Sequence, residues 1–369
     1  MDVRAEKYIK PQFQKDSGDT VFNTIKIRAK QIVKELEPER RGILTIKAIL
    51  FPLLYIGAYV CAIVWGNYPW VLYCAYMMMG LMLVVVFLNL VHDAVHGTLF
   101  RNKNINKAFI YFFDLMGANS FVWKIRHTRL HHNYPNILEW DSDIDQSPLA
   151  RIFPHGPFSR LHKYQHIYLP FIYPFYLLNW LLVRDFKDYF NKERVLWRVT
   201  DIPKKEYVKL FFFKAVFLFY TIVLPVLLTG ISWLQSIFAF LIMMFTASIT
   251  SLLVLLSPHA NTEHDFPLVD DHHQIHSSWF MHQIGHTNDV DHDNWFVRFF
   301  MGSFNFHVIH HLFPRISHIY YPELTQMLKE EALKNDLPYK SFSLAYSLKS
   351  HYHLLKKNRQ VENIFEETM

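Results

Sequence analysis

Residues 82–97 read MLVVVFLNLVHDAVHG, an apolar run broken only by Asn89 that ends directly on the pair His92-Asp93-Ala94-Val95-His96. Histidines four apart share one face of a continuing helix, so both imidazoles can aim at one point. Alone, such a pair also fits two satisfied polar side chains at a membrane surface. Two further groups change the balance: His127-Thr-Arg-Leu-His131-His132 and His307-Val-Ile-His310-His311. By the same spacing, His127 pairs with His131, and His307 with His310 and His311. Three groups on one side of a membrane, the first at the very end of a span, read as a metal centre.

Working outward, four runs have the roughly 20 residues of helix that a bilayer demands: about 43–65, 70–91, 208–228 and 233–257. Charges inside them are few, chiefly Lys47 and Lys214 near the ends, where snorkelling is the expected solution. Gly66-Asn67-Tyr68-Pro69 and Thr229-Gly230-Ile231-Ser232 join them into two hairpins. The expected fold is therefore all-α and integral to the membrane, with four transmembrane helices in two hairpins, interfacial helices and a cytoplasmic histidine-rich cap. Residues 1–42 form a cytoplasmic N-terminal segment, 43–357 a single membrane domain and 358–369 a polar tail. Lys26, Arg28, Lys30, Lys34, Arg40 and Arg41 precede the first run while the hairpin connections hold no lysine or arginine, which places both ends and the middle segment in the cytoplasm. The apolar stretches 108–123 and 167–183, the second carrying Pro170 and Pro174, are expected to lie in the interface. Counting either one alone as a span would separate the histidine groups across the membrane.

Composition narrows the classes. Of 369 residues, 51% are hydrophobic and 17% aromatic, enough to fill spans as well as a core. The two cysteines, Cys61 and Cys74, sit in apolar runs, so disulfides and thiolate clusters are poorly supported. A net charge of +6 is scattered beside apolar segments, which suits a membrane surface and not nucleic acid. The start, MDVRAEKYIKPQFQKDSG, is too polar for a cleavable signal.

Eight clustered imidazoles exceed what one ion uses, so two metals are expected. Imidazole suits zinc, copper, iron and nickel, but zinc takes three or four ligands and no H-E-x-x-H is present. A nitrogen-rich pair of sites beside a membrane, with no serine elbow or phosphate loop, is suited to activating dioxygen, and iron is the metal chosen. The order HDAVHG, HTRLHHNYPN with WDSDID, then NFHVIHHLFP resembles the three histidine boxes of membrane fatty-acid desaturases, most like the acyl-lipid and linoleoyl-CoA (front-end) branch. The resemblance extends from about residue 43 to 357, through HQIGHTND and LKSHYHLLKK. It implies four spans, a cytoplasmic cap holding two irons, and a ninth histidine ligand after the last span, a place His259 occupies. One position departs: the front-end branch usually has glutamine where this chain has His307, so the third box follows other desaturases.

The expected activity is introduction of a cis double bond into the acyl chain of an acyl-CoA or membrane lipid, with two iron ions and dioxygen. Asp93, Asp141, Asp143, Asp145 and Asn305 adjoin the boxes and are candidates to hold the outer nitrogens of the ligands. His282 and His286, at helical spacing in a histidine-rich loop, are further candidates for metal contact or for that outer role. No fused cytochrome b5 motif is present, so electrons are expected from a separate cytochrome b5 or ferredoxin with its reductase. That absence, and an ENIFEETM ending without an ER-retention signal, favour a bacterial inner membrane over the ER. A lipid or carotenoid hydroxylase or ketolase shares the box pattern and is the alternative. A non-enzymatic metal transporter is the remote one, because the spans offer few polar groups to line a path.

Overall fold

The computed structural model describes residues 9–16 and 18–360; the ends of the two polar terminal segments, 1–8 and 361–369, lie outside the described residues. The chain is mostly helical. Among the described residues five helices are long and apolar enough to cross a membrane, where four runs were expected: α1 (Gly18–Trp65), α2 (Pro69–His96), α3 (Arg160–Phe190), α4 (Lys204–Thr229) and α5 (Trp233–Leu255). The additional one, α3, covers the stretch expected to lie in the interface. It carries Pro170 and Pro174 and passes through two 3-10 turns and a π-helical turn, Trp180–Arg184. The 108–123 stretch falls in short helices, Lys103–Phe109, Tyr111–Leu115 and Ser120–Ile125.

The connections form where expected. Pro69 opens α2 with its φ already helical and no N–H to leave unpaired. Ser232 and Gln235 make a reciprocal capping box at the start of α5. Gly97 ends α2 with φ 77°, a conformation open to glycine at little cost, immediately after His96. Between α2 and α5 the backbones touch at Gly80, where a Cβ would stand 2.4 Å from the Met243 carbonyl. Along α1, Ile46, Ile49, Leu53, Ile56, Val60 and Val64 stay exposed, the surface an apolar solvent would cover.

α1 begins well before the apolar run, at Gly18, so residues 18–42 of the N-terminal segment are helical. Two of its basic residues are ion-paired with α8 (Tyr321–Asn335): Arg28 with Glu330 and Glu331, and Arg40 with Glu323. Among the described residues the strands are two parallel pairs of two residues each, β1 (Gln12–Phe13) with β2 (Gln274–Ile275) and β3 (Asp289–Val290) with β4 (Ser341–Phe342). α6 (Trp279–Gly285), α7 (His307–Leu312), α8 and α9 (Leu344–Lys357) follow α5. Lys47 and Lys214 do not snorkel. Both are buried, at 1% and 5% exposure, and hydrogen-bonded inside the bundle.

Candidate metal centre

The end of α2 is not a plain α-helix. A π-helical turn, Phe87–Val91, precedes one α-helical turn that carries His92 and His96 on the same face. A second π turn, Arg126–His131, carries the middle group, and the amide of His132 donates to the carbonyl of His127, five residues back. Five-residue spacing aligns His127 with His132, so His131 points elsewhere. The expected pairing of His127 with His131 is therefore corrected by the wider turn. On α7, His307 and His311 share a face at four-residue spacing, and His310 turns to a neighbouring one.

The outcome is two interlocked groups. His92, His96, His127, His132 and His310 bring one nitrogen each within 4.8 Å of one another, as do His131, His259, His307 and His311. All nine histidines expected as ligands are present, but the second and third boxes each serve both groups. The Nε2 atoms face inward at short range: His92 to His127 3.1 Å, His92 to His310 3.2 Å, His132 to His127 3.1 Å and His259 to His307 2.8 Å. Meanwhile the buried Nε2 atoms of His96 and His311 have no protein partner among the described residues. Converging lone pairs and orphaned nitrogens in a buried setting fit two cations of imidazole-loving character.

The outer nitrogens explain why Nε2 is left for the interior. His131 Nδ1 donates to Asp141 at 2.9 and 3.1 Å, and His127 Nδ1 to Asp143 Oδ2 at 3.2 Å. His310 Nδ1 lies 3.1 Å from the Tyr321 hydroxyl, and His311 Nδ1 3.0 Å from Gln283 Oε1. Asp141 also accepts the backbone amides of Asn136, Asp143 and Ile144, tying the loop after the second box to His131. Burial pushes His127, His132, His259, His307, His310 and His311 well below the usual imidazole range, so these rings are neutral as ligands must be. At His131 burial acts the same way, but the Asp141 carboxylate outweighs it and raises the ring's proton affinity.

Other residues singled out from sequence lie elsewhere. His282 reaches the Pro135 carbonyl at 2.8 Å and His286 the His282 carbonyl at 2.9 Å, with their rings stacked 4.3 Å apart; neither joins a histidine group. Between them, Gln283 is the residue that meets a box histidine. Asn305 donates to the His292 carbonyl, and Asp145 is exposed. Asp93 faces Ser317 and His318. Gln283 and Tyr321 escaped the sequence reading because neither adjoins a box in the chain.

A cavity of about 350 Å³ runs past the centre. His92, His127, His131, His259 and His307 line one part of it; the rest is mainly apolar, with Phe87, Trp123, Ile152, Leu169, Tyr176 and Leu255. A smaller space of about 50 Å³ between α2 and α5 shares the walls Phe87, Tyr176, Trp180 and Leu255.

Comparison with known proteins adds an independent finding. Residues 68–343 match the family model described as fatty acid desaturase. The chain is 26% identical over 328 residues to the sn-1 linoleoyl-lipid 6-desaturase of Arthrospira platensis, covering 88% of each. It is 25% identical over 349 residues to the acyl-lipid (8-3)-desaturase of Physcomitrium patens, covering 92% of this chain and 72% of that one. Acyl-lipid (8-3)-desaturase B of Dictyostelium discoideum is 30% identical over 286 residues, 73% of this chain and 60% of its own.

Proposed function

The chain belongs to the fatty acid desaturase family and is a fatty-acyl desaturase, an oxidoreductase, and from that premise we propose that it desaturates acyl chains of membrane lipids at two histidine-held iron ions. The observation carrying this reading is the convergence of nine buried imidazoles on a mainly apolar cavity. His92, His96, His127, His132 and His310 would hold one ion, and His131, His259, His307 and His311 the other. Bound iron supplies the oxidising chemistry with dioxygen, two of the four electrons that reduce it to water coming from the acyl chain and two from a separate cytochrome b5 or ferredoxin.

The protein's own part is placement and exclusion. Phe87, Trp123 and Leu255 seat the methylenes against the histidines and keep out bulk water. Asp141, Asp143, Tyr321 and Gln283 hold the ligand rings so that Nε2 faces the metal.

Within this reading residues 43–357 are one membrane domain whose crossings are α1, α2, α4 and α5. α3 lies along the cytoplasmic interface. The support is a parity argument: His131 and His259 meet in one group, so the chain between them crosses an even number of times. Together α4 and α5 satisfy that, and α3 as well would not. Lysine and arginine placement puts the site in the cytoplasm, and a bacterial inner membrane is the expected host.

Lipid profiling of cells expressing the chain tests the proposal. New double bonds in glycerolipid acyl chains, absent with His132→Ala, are expected. A hydroxylated product, or new double bonds that appear first in acyl-CoA, would overturn it.

A further inference from the structure

Lysine in the middle of an apolar helix needs an explanation, and Lys47 in α1 has a specific one. Its ammonium donates all three of its hydrogens: to Asn89 Oδ1 at 2.7 Å, to the Arg298 carbonyl at 3.1 Å and to His318 Nε2 at 2.9 Å. An ammonium has no lone pair, so His318 Nε2 must be the acceptor and the ring's proton sits on Nδ1. That nitrogen faces Asp93 Oδ2 at 3.1 Å, and the Ser317 hydroxyl donates to the same oxygen at 2.6 Å. The other carboxylate oxygen of Asp93 lies 4.0 Å from His92 Nδ1. Lys47, His318, Asp93 and His92 are each 1% exposed.

Hydrogen bonds join Lys47 to His318 and Ser317 to Asp93, while His318 and Asp93, and Asp93 and His92, meet as close ring–carboxylate pairs, so that a line of four buried side chains runs from α1 to the first histidine of the first box. Asn89 ties it to the backbone, donating to the Val85 carbonyl at 2.9 Å and to the Phe300 carbonyl at 2.7 Å. Its place in the π turn just before His92 couples the lysine to the same stretch of α2. Lys47 against Nε2 and the Asp93 carboxylate beside Nδ1 both favour the His318 tautomer with its proton on Nδ1, and the Ser317 hydroxyl helps to hold Asp93 in place.

We propose that Lys47 is a positioning residue for the five-histidine group, acting through His318 and Asp93 to set the ring of His92. The inference rests on the metal-centre reading above. Groups behind a metal-bound histidine tune affinity by roughly 10–100-fold when removed, and this line of side chains stands behind one group and not the other.

Cobalt(II) titration of metal-free protein in detergent, followed by its visible absorption, separates the possibilities. Wild type takes up two cobalt ions. Lys47→Met should bind one ion as wild type does and the second at least about 10-fold more weakly, with an altered spectrum for that ion. Lys47→Met combined with His318→Gln should do no further damage, as expected of residues acting in series. Lys214 is the control: it is as deeply buried and bonded to Asp185 and the Gly117 carbonyl, so Lys214→Met should leave both cobalt affinities intact. If Lys47→Met does not purify folded, His318→Gln carries the same expectation. Wild-type binding of both ions in the Lys47 and His318 variants would overturn the inference, as would equal weakening of both ions by Lys47→Met and Lys214→Met. A wild-type chain that takes up no cobalt would instead sink the metal-centre reading itself.

Discussion

At the scale of single residues, the box histidines were legible because eight imidazoles in short spacings have few other uses, and His259 was expected from the family resemblance; their distribution between two groups was not legible. The spacing rule assumed α-helix throughout, and the π turn at Arg126–His131 moved the aligned partner of His127 from His131 to His132. Likewise the sequence drew attention to His282 and His286, while the side chain that reaches the centre is Gln283 between them. A histidine-rich loop looks like ligands, but only packing tells which face of its helix is inward. Asp141 was legible as a neighbour of the second box, and its bonds give the expectation an amplitude. Replacing it by asparagine keeps the shape but loses the carboxylate that holds His131 and gathers three backbone amides. Asp141→Asn should lower metal affinity or desaturation by about 10–100-fold, read as iron content per purified chain and as double bonds formed. Wild-type iron content and activity would show that the carboxylate is dispensable.

Helices set the next scale. Hairpin ends were readable from Pro69, Gly230 and the Ser232 cap, since each has a local backbone reason. The fifth long apolar helix was not separable by length, because α3 reaches a span's dimensions only by joining α, 3-10 and π turns across Pro170 and Pro174. Cysteine placed at Tyr164 near the start of α3 and at Phe190 at its end should react with a membrane-impermeant maleimide from the same side. Opposite-side labelling would make α3 a crossing and break the proposed four-span topology. The contact of α2 with α5 offers a second test. A side chain at Gly80 would meet the Met243 carbonyl, part of the backbone and unable to swing away. Gly80→Val should therefore destabilise the protein by about 1–3 kcal/mol, seen as a lower melting temperature in detergent, with lipid-facing Ile49→Val close to neutral.

Over the whole molecule, the centre is assembled from parts far apart in sequence: the end of α2, the π turn at Arg126–His131, the segment after α5, and α7. Gln283, bonded to the His132 carbonyl and to His311 Nδ1, and Asn136, bonded to the His259 carbonyl, bridge some of these pieces from behind the rings. Five imidazoles in one group and four in the other bring ring nitrogens together in a buried space, which is unfavourable unless a cation shares their lone pairs. Binding two ions should therefore act as a tertiary cross-link as well as a cofactor, stabilising the folded state by RT ln(1 + [metal]/Kd), about 2.7 kcal/mol per site at a hundredfold excess over Kd. Stripping the purified protein with a chelator should lower its melting temperature, and Fe(II) should restore it where Mg(II), which prefers oxygen ligands, does not. With His131→Ala and His310→Ala, one from each group, the restoring effect of Fe(II) should shrink in each single variant and vanish in the double one. A chelated protein that melts at the untreated temperature would mean that packing alone holds the nine rings in place, and that the metals enter a site already rigid without them.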